Sequence, residues 1–249
     1  MIKFFRKIRQ RLLSESKFSK YLIYAIGEIV LVVIGILIAL SINNWNENKK
    51  TYKSERIFLS QMLVSLQTDL ARTKNIYENR ALRKDKAIKT LMNDLNELNP
   101  PHDTILRPLF LEMTMTLSFI YDKGAYESLK SHGLEIIQND SLRQKIVRNY
   151  ENNLPLIIVF IDNDRNVQSE LRQKYILELT TYDYKQSDNG QWIGYTNIDF
   201  KKIKDSKSLR NLFRLETAVA SNYIRRLEAI IAEFESIISD IENELGKFK

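Results

Sequence analysis

The apolar positions of this chain fall into two regimes. Residues 21–42 read YLIYAIGEIVLVVIGILIALSI, a run of 22 in which Glu28 is the only charge. A helix of that length rises about 33 Å, enough to cross a hydrocarbon core of about 30 Å. Tyr21 and Tyr24 at one end and Trp45 past the other supply the amphipathic rings that favour a membrane interface. Beyond this run the pattern becomes periodic. Leu59, Leu63, Leu66 and Leu70, followed by Ile88, Leu91, Leu95 and Leu98, predict a helical stretch that Pro100 and Pro101 end, with the polar NRALRKDK as either a solvated turn or a break.

Towards the C-terminus, Ala220, Tyr223, Leu227, Ile230, Phe234, Ile237 and Ile241 alternate steps of three and four, the stripe of a coiled-coil-like helix. Such a stripe needs a mate, either the first helix running antiparallel or a second copy. Between the two lie an apolar segment over residues 105–121, a helix over 125–132 capped by Gly133, and a helix from about Asp140 that includes Leu142, Ile146, Tyr150 and Leu154. LPLIIVFI, residues 154–161, reads as helix because no other stretch offers a partner strand of comparable length. Asn189-Gly190 among Tyr182, Tyr184, Trp192, Tyr195 and Phe200 predicts a hairpin or aromatic loop near 182–200. Tyr184, Trp192 and Tyr195 are its candidate partner-binding rings, against the alternative that they pack inward. The expected fold class is all-α: one N-terminal transmembrane helix, then an extracytoplasmic antiparallel bundle of long helices with that small hairpin.

Composition supports helices over sheets. Seven Gly and four Pro in 249 residues are too few for the tight turns of a barrel, sandwich or propeller. The absence of Cys excludes disulfides, thiolate metal sites and a cysteine nucleophile. The formal charge of +7 is concentrated: residues 1–20 carry seven Lys or Arg against one Glu, and the rest of the chain is almost balanced. No broad basic face is expected, so nucleic acid is not an expected partner. The same asymmetry orients the span by the positive-inside rule, giving a cytoplasmic basic arm over residues 1–20, a transmembrane helix over 21–42 and a periplasmic helical domain over 43–249. Ala39-Leu40-Ser41 imitates a processing site, but the apolar run is longer than the 7–15 residues of a signal h-region, so a signal anchor is expected. In the arm, Lys3, Arg6, Lys7, Arg9 and Arg11 surround Phe5, Ile8 and Leu12 at helical spacing, a cationic amphipathic helix suited to the surface of anionic membrane lipids.

Within the span, Glu28, Val32, Gly35 and Ala39 fall on one helical stripe. Small residues let helices approach, and a carboxyl can hydrogen-bond across the interface, so the stripe reads as a self-association surface. An intramembrane carboxylate also serves ion-coupled machines, although no second polar residue here continues a relay. Elsewhere the chemistry is sparse. Asp162, Asp164 and Asn166 imitate the start of a calcium loop, but Val167 stands where its Gly belongs and Gln173 where its Glu belongs. His102 and His132 lack zinc spacing, and no phosphate, dinucleotide or nucleophile-elbow motif occurs. No catalytic, metal or cofactor residue is expected, and the chain is not expected to be an enzyme.

MIKFFRKIRQ and KYLIYAIGEIVLVVIGILIALSINNWNE closely resemble the opening of an uncharacterised family of single-span membrane proteins of Bacteroidetes bacteria, domain of unknown function family 6090. AYESLKSHGLEIIQNDSLRQKIVRNYEN is similar to that family's recurring block, here carried by Gly133, Asn139, Leu142 and Arg143. The resemblance implies an inner-membrane location and a periplasmic helical domain, and no activity. The block itself reads as a corner between two helices, with a C-cap, a short apolar connector and a fresh N-cap. The leading expectation is a bitopic inner-membrane protein whose periplasmic domain is an interaction or assembly module, oligomeric through the span and the C-terminal stripe, with an unidentified membrane or periplasmic protein partner. The alternatives are a membrane sensor with a ligand-binding helical domain, and an accessory subunit of an ion-driven complex using Glu28.

Overall fold

The computed structural model describes residues 18–97 and 101–248. The basic arm, including Lys3, Arg6, Lys7, Arg9 and Arg11, lies outside the described residues, as do the side chains of Tyr21 and Tyr24. The chain divides into two units between Glu55 and Arg56.

The first unit is the opening of helix α1 (Phe18–Ile76), which contains no proline and holds the membrane-length run. Its large aliphatic side chains, among them Leu22, Ile29, Val33, Ile36 and Ile42, are exposed. Among the described residues this is the one helix long and apolar enough to cross a membrane. Lys49 places its ammonium 5.4 Å from the centroid of the Trp45 ring, a cation over the ring at the end of the run.

The second unit is built from four antiparallel rungs. The first is the rest of α1, a π-helical turn over Tyr77–Leu82, and α2 (Arg83–Asn96). NRALRKDK therefore does not break the helix; the chain widens by a π turn and continues. The second rung is α3 (Asp103–Met113), an extended stretch, and α4 (Gly124–His132). The third is α5 (Asp140–Arg148), α6 (Leu154–Asn163) and α7 (Ser169–Leu179), joined through π turns at Asn149–Asn153 and Asp164–Gln168. A two-stranded hairpin, β1 (Thr181–Gln186) and β2 (Trp192–Asn197), and the short α8 (Phe200–Ile203) lead to the fourth rung, α9 (Lys207–Gly246).

Polar contacts fix the direction of each rung. Against rung one, rung four pairs Lys74 with Glu235, Tyr77 with Glu228 and Lys84 with Glu216, descending as the first ascends. Rung three does the same, through Asn139 with Glu244, Lys145 with Asp240 and Arg172 with Glu216. Rung two descends past rung one through Arg83 with Glu112, Ser65 with Asp122 and Phe58 with His132. All seven residues of the C-terminal stripe are buried inside this arrangement. Of the two mates the spacing allows, the fold supplies the intramolecular one: the stripe packs against the chain's own rungs.

Residues 105–121 are not one element. α3 ends at Met113, and the next residues run extended with Leu117 and Phe119 buried while Thr116, Ser118 and Ile120 are exposed. This is the two-residue alternation of a strand without a strand partner. Side chains take up two of its backbone groups: Tyr223 Oη donates to the Ser118 carbonyl, and the Asp122 amide donates to Asp69 Oδ2 at 2.9 Å. Burial raises the Asp69 pKa, opposed by that amide and by Arg72.

The Gly133 block is the corner between rungs two and three. Gly133 adopts φ +102°, a conformation that L side chains resist. Asn139 caps α5 by accepting from the Leu142 amide at 3.1 Å while its Nδ2 donates to Glu244 at 2.9 Å. Leu142 is buried in the core, and Arg143 donates to the Ile137 carbonyl at 2.7 Å.

Candidate functional site

At the end of the second unit away from Arg56, Ile88, Leu91 and Leu95 of α2 meet Ile198, Phe200 and Leu209 in a second apolar core. This core carries the hairpin. Ser187 donates its amide to the Gln191 carbonyl at 2.8 Å, and Gly190 turns the chain at φ +83°. The register pairs Tyr182 with Thr196, Tyr184 with Gly194 and Gln186 with Trp192. Alternation therefore puts Tyr182, Tyr184 and Trp192 on one face of the ribbon, and Tyr195 on the other with Asp183 and Lys185.

The first face is uncovered. Tyr182, Tyr184 and Trp192 are 62%, 65% and 70% exposed. Tyr182 and Tyr184 meet edge to face at 5.1 Å between ring centroids. Gly194 leaves room for this, because a Cβ there would collide with the Tyr182 ring. Of the three rings singled out in the sequence, the fold thus brings Tyr184 and Trp192 together and turns Tyr195 inward, where Lys185 lies 5.8 Å from its ring centroid. Tyr182 completes the exposed face.

A second constellation lies where the two apolar cores meet. Glu216 of α9 pairs with Lys84 of α2 at 2.7 Å and with Arg172 of α7. Arg172 also pairs with Asp164 at 2.8 Å, and all four side chains are buried. Lys84 further donates to the Met113 and Met115 carbonyls, where α3 has run out of helical partners for its last acceptors. Every rung contributes to this layer. Burial pushes the Lys84 ammonium below its ordinary pKa, with Glu216 opposing. Burial also works against the Arg172 charge, but its bonds to Glu216 and Asp164 win and hold it above the ordinary value. Asp164, part of the calcium-loop imitation, is thus an ion-pair partner in this layer.

The span stripe is placed as its spacing requires. Val32, Gly35 and Ala39 are exposed on α1, among the described residues nothing but the helix's own backbone lies within 4 Å of where a Gly35 Cβ would stand, and Glu28 is half-buried. Among the described residues, no group of three or more His, Cys, Asp or Glu side chains is arranged to hold a metal ion.

One membrane-length helix continuing into a helical unit with an exposed aromatic ribbon fits the class of bitopic membrane proteins. The chain belongs to the family of unknown function DUF6090, whose family model matches residues 28–188, from the span stripe through the Gly133 corner to the hairpin turn. No curated protein and no solved structure matches it.

Proposed function

We propose that this is a bitopic protein of a bacterial inner membrane, with its basic arm in the cytoplasm and its helical unit in the periplasm, and that the helical unit is an interaction module. The observation that carries this reading is the hairpin face of Tyr182, Tyr184 and Trp192, three large rings left to solvent on an ordered ribbon. Rigid aromatic rings with a polar handle dominate protein interfaces because they bury much area at small entropic cost. The basic arm supplies the orientation and a hold on anionic lipid, and the Glu28, Val32, Gly35 and Ala39 stripe supplies self-association in the membrane. A membrane or periplasmic protein is the partner of the ribbon.

The chain lacks Cys, so single introduced cysteines report topology without background. Ser14→Cys and Ser206→Cys are labelled with a membrane-impermeant maleimide in cells with an opened outer membrane. Labelling of the second and protection of the first is expected; the reverse pattern ends the proposed orientation. A photocrosslinking residue at Trp192 should then give a discrete adduct with one membrane or periplasmic protein that the same residue at Tyr195 does not. Equal adducts from both faces would remove the ribbon from the reading.

A further inference from the structure

Behind the hairpin, on the face away from the exposed rings, lies a cavity of about 360 Å³ between α3, α7 and β2. Phe110, Ile176 and Ile198 give it an apolar floor, and Tyr195 closes it from the ribbon. Its one charged lining residue is Arg107, whose Nη2 donates to the neutral Asn197 Oδ1 at 3.1 Å. Among the described residues Arg107 has no carboxylate partner, although a guanidinium offers five N–H donors. The hydroxyls of Thr114 and Thr180 are spent on helix carbonyls of their own elements, Phe110 and Ile176, and do not compete for the guanidinium. Lys185, beside the Tyr195 ring, and Asp183, in reach of Thr181, share that ribbon face but are not among the residues that line the cavity.

We infer that this cavity is a binding site for a small amphipathic carboxylate, its apolar body on Phe110, Ile176 and Tyr195 and its anionic head on Arg107. The volume is near the lower end of ligand pockets, which sets the size of the guest at about ten to fifteen heavy atoms. An apolar chamber with one placed cation selects charge by the head group and length by the floor. The α3 wall of this cavity also ends in the Met113 carbonyl that Lys84 holds, so the guest and the ionic layer share one helix. The inference is separate from the docking face, which lies on the opposite side of the ribbon.

The test uses the full chain in lipid nanodiscs, with empty discs as the blank for partitioning. The probes are 3-phenylpropanoate and its neutral isostere 3-phenylpropanamide, followed by saturation-transfer NMR and calorimetry. The carboxylate should bind at least about ten-fold more tightly than the amide, the scale of a charge-assisted hydrogen bond. Arg107→Gln should reduce that preference to within about two-fold and leave the amide unchanged. Leu111→Trp, at the exposed mouth, should block both probes without changing the helical circular dichroism. Absence of carboxylate signal above empty discs at about 10 mM, or an undiminished preference in Arg107→Gln, overturns the inference.

Discussion

Glu216→Met should cost the helical unit about 3–5 kcal/mol, because it removes the one anion shared by two buried cations. Lys84 Nζ lies 2.7 Å from Glu216 Oε2. At an effective dielectric of about 20, two unit charges at that distance attract by about 6 kcal/mol. Part of that attraction is offset once the carboxylate no longer has to be desolvated, which brings the expected loss into the range quoted. What remains is Lys84 and Arg172 facing Asp164 alone, one buried cation in excess. Adding Lys84→Met restores the balance, since Arg172 and Asp164 still pair at 2.8 Å. The double variant should therefore recover at least half of the single variant's loss, even though the Met113 and Met115 carbonyls lose their donor. Urea denaturation of the full chain in nanodiscs, followed by helical circular dichroism, measures both quantities. A single-variant loss under about 1 kcal/mol, or losses from Lys84→Met and Glu216→Met that simply add, would refute the account of the layer as a charge-balanced unit.

Other expectations follow from separate contacts. Asn139→Ala removes the α5 cap and the bond to Glu244 and should cost about 1–2 kcal/mol in the same denaturation assay, while Arg143→Lys should cost less. Gly194→Val should push the Tyr182 ring off the ribbon with little loss of stability, because only a side-chain ring has to move, and should weaken any adduct formed from Trp192. Burial raises the hydroxyl pKa of Tyr126, Tyr150 and Tyr223, the last to about 12. A raised folded value means that their contribution is complete below the unfolded pKa of about 10 and is lost as pH climbs through the folded values. Alkaline titration at 295 nm should accordingly show three of the twelve tyrosines ionising only as the helical signal collapses, and their free titration near pH 10 in the folded protein would contradict their burial.

Much of the architecture could be read from spacing alone. The C-terminal stripe, the Gly133 C-cap and an N-cap at Asn139 or Asp140 follow from local rules of period and capping, the helical state of LPLIIVFI follows from the lack of a partner strand, and the structure has each, with Asn139 as the cap. The extended stretch after Met113 was also legible, since Leu117 and Phe119 alternate with Thr116, Ser118 and Ile120, but a flanking helical pattern obscured so short a run. The ionic layer left a fainter trace. Glu216 continues the stripe of Leu209, Leu212, Ala220 and Tyr223 at steps of three and four, and Lys84 interrupts that of Ala81, Ile88 and Leu91 in the same way. A charge on an apolar stripe is a sign of a buried partner. Which partner it finds depends on tertiary alignment, and sequence periodicity carries no information on that. For the ribbon, the Asn189-Gly190 signal located the turn, while the face each ring occupies depended on a five-residue loop whose register period alone does not determine.

The placement of the four buried charges at a single height has a mechanical consequence. Sliding rung one or rung four by one helical turn, about 5.4 Å, would strand Lys84 or Glu216 in hydrocarbon packing and leave its counter-charge unpaired, and a slide of rung one would also free the rung-two carbonyls that Lys84 holds. Such a bundle behaves like a keyed shaft. Axial slippage between neighbouring helices is closed to it, so whatever displacement the helical unit undergoes must be carried by tilting or turning of the rungs as a set.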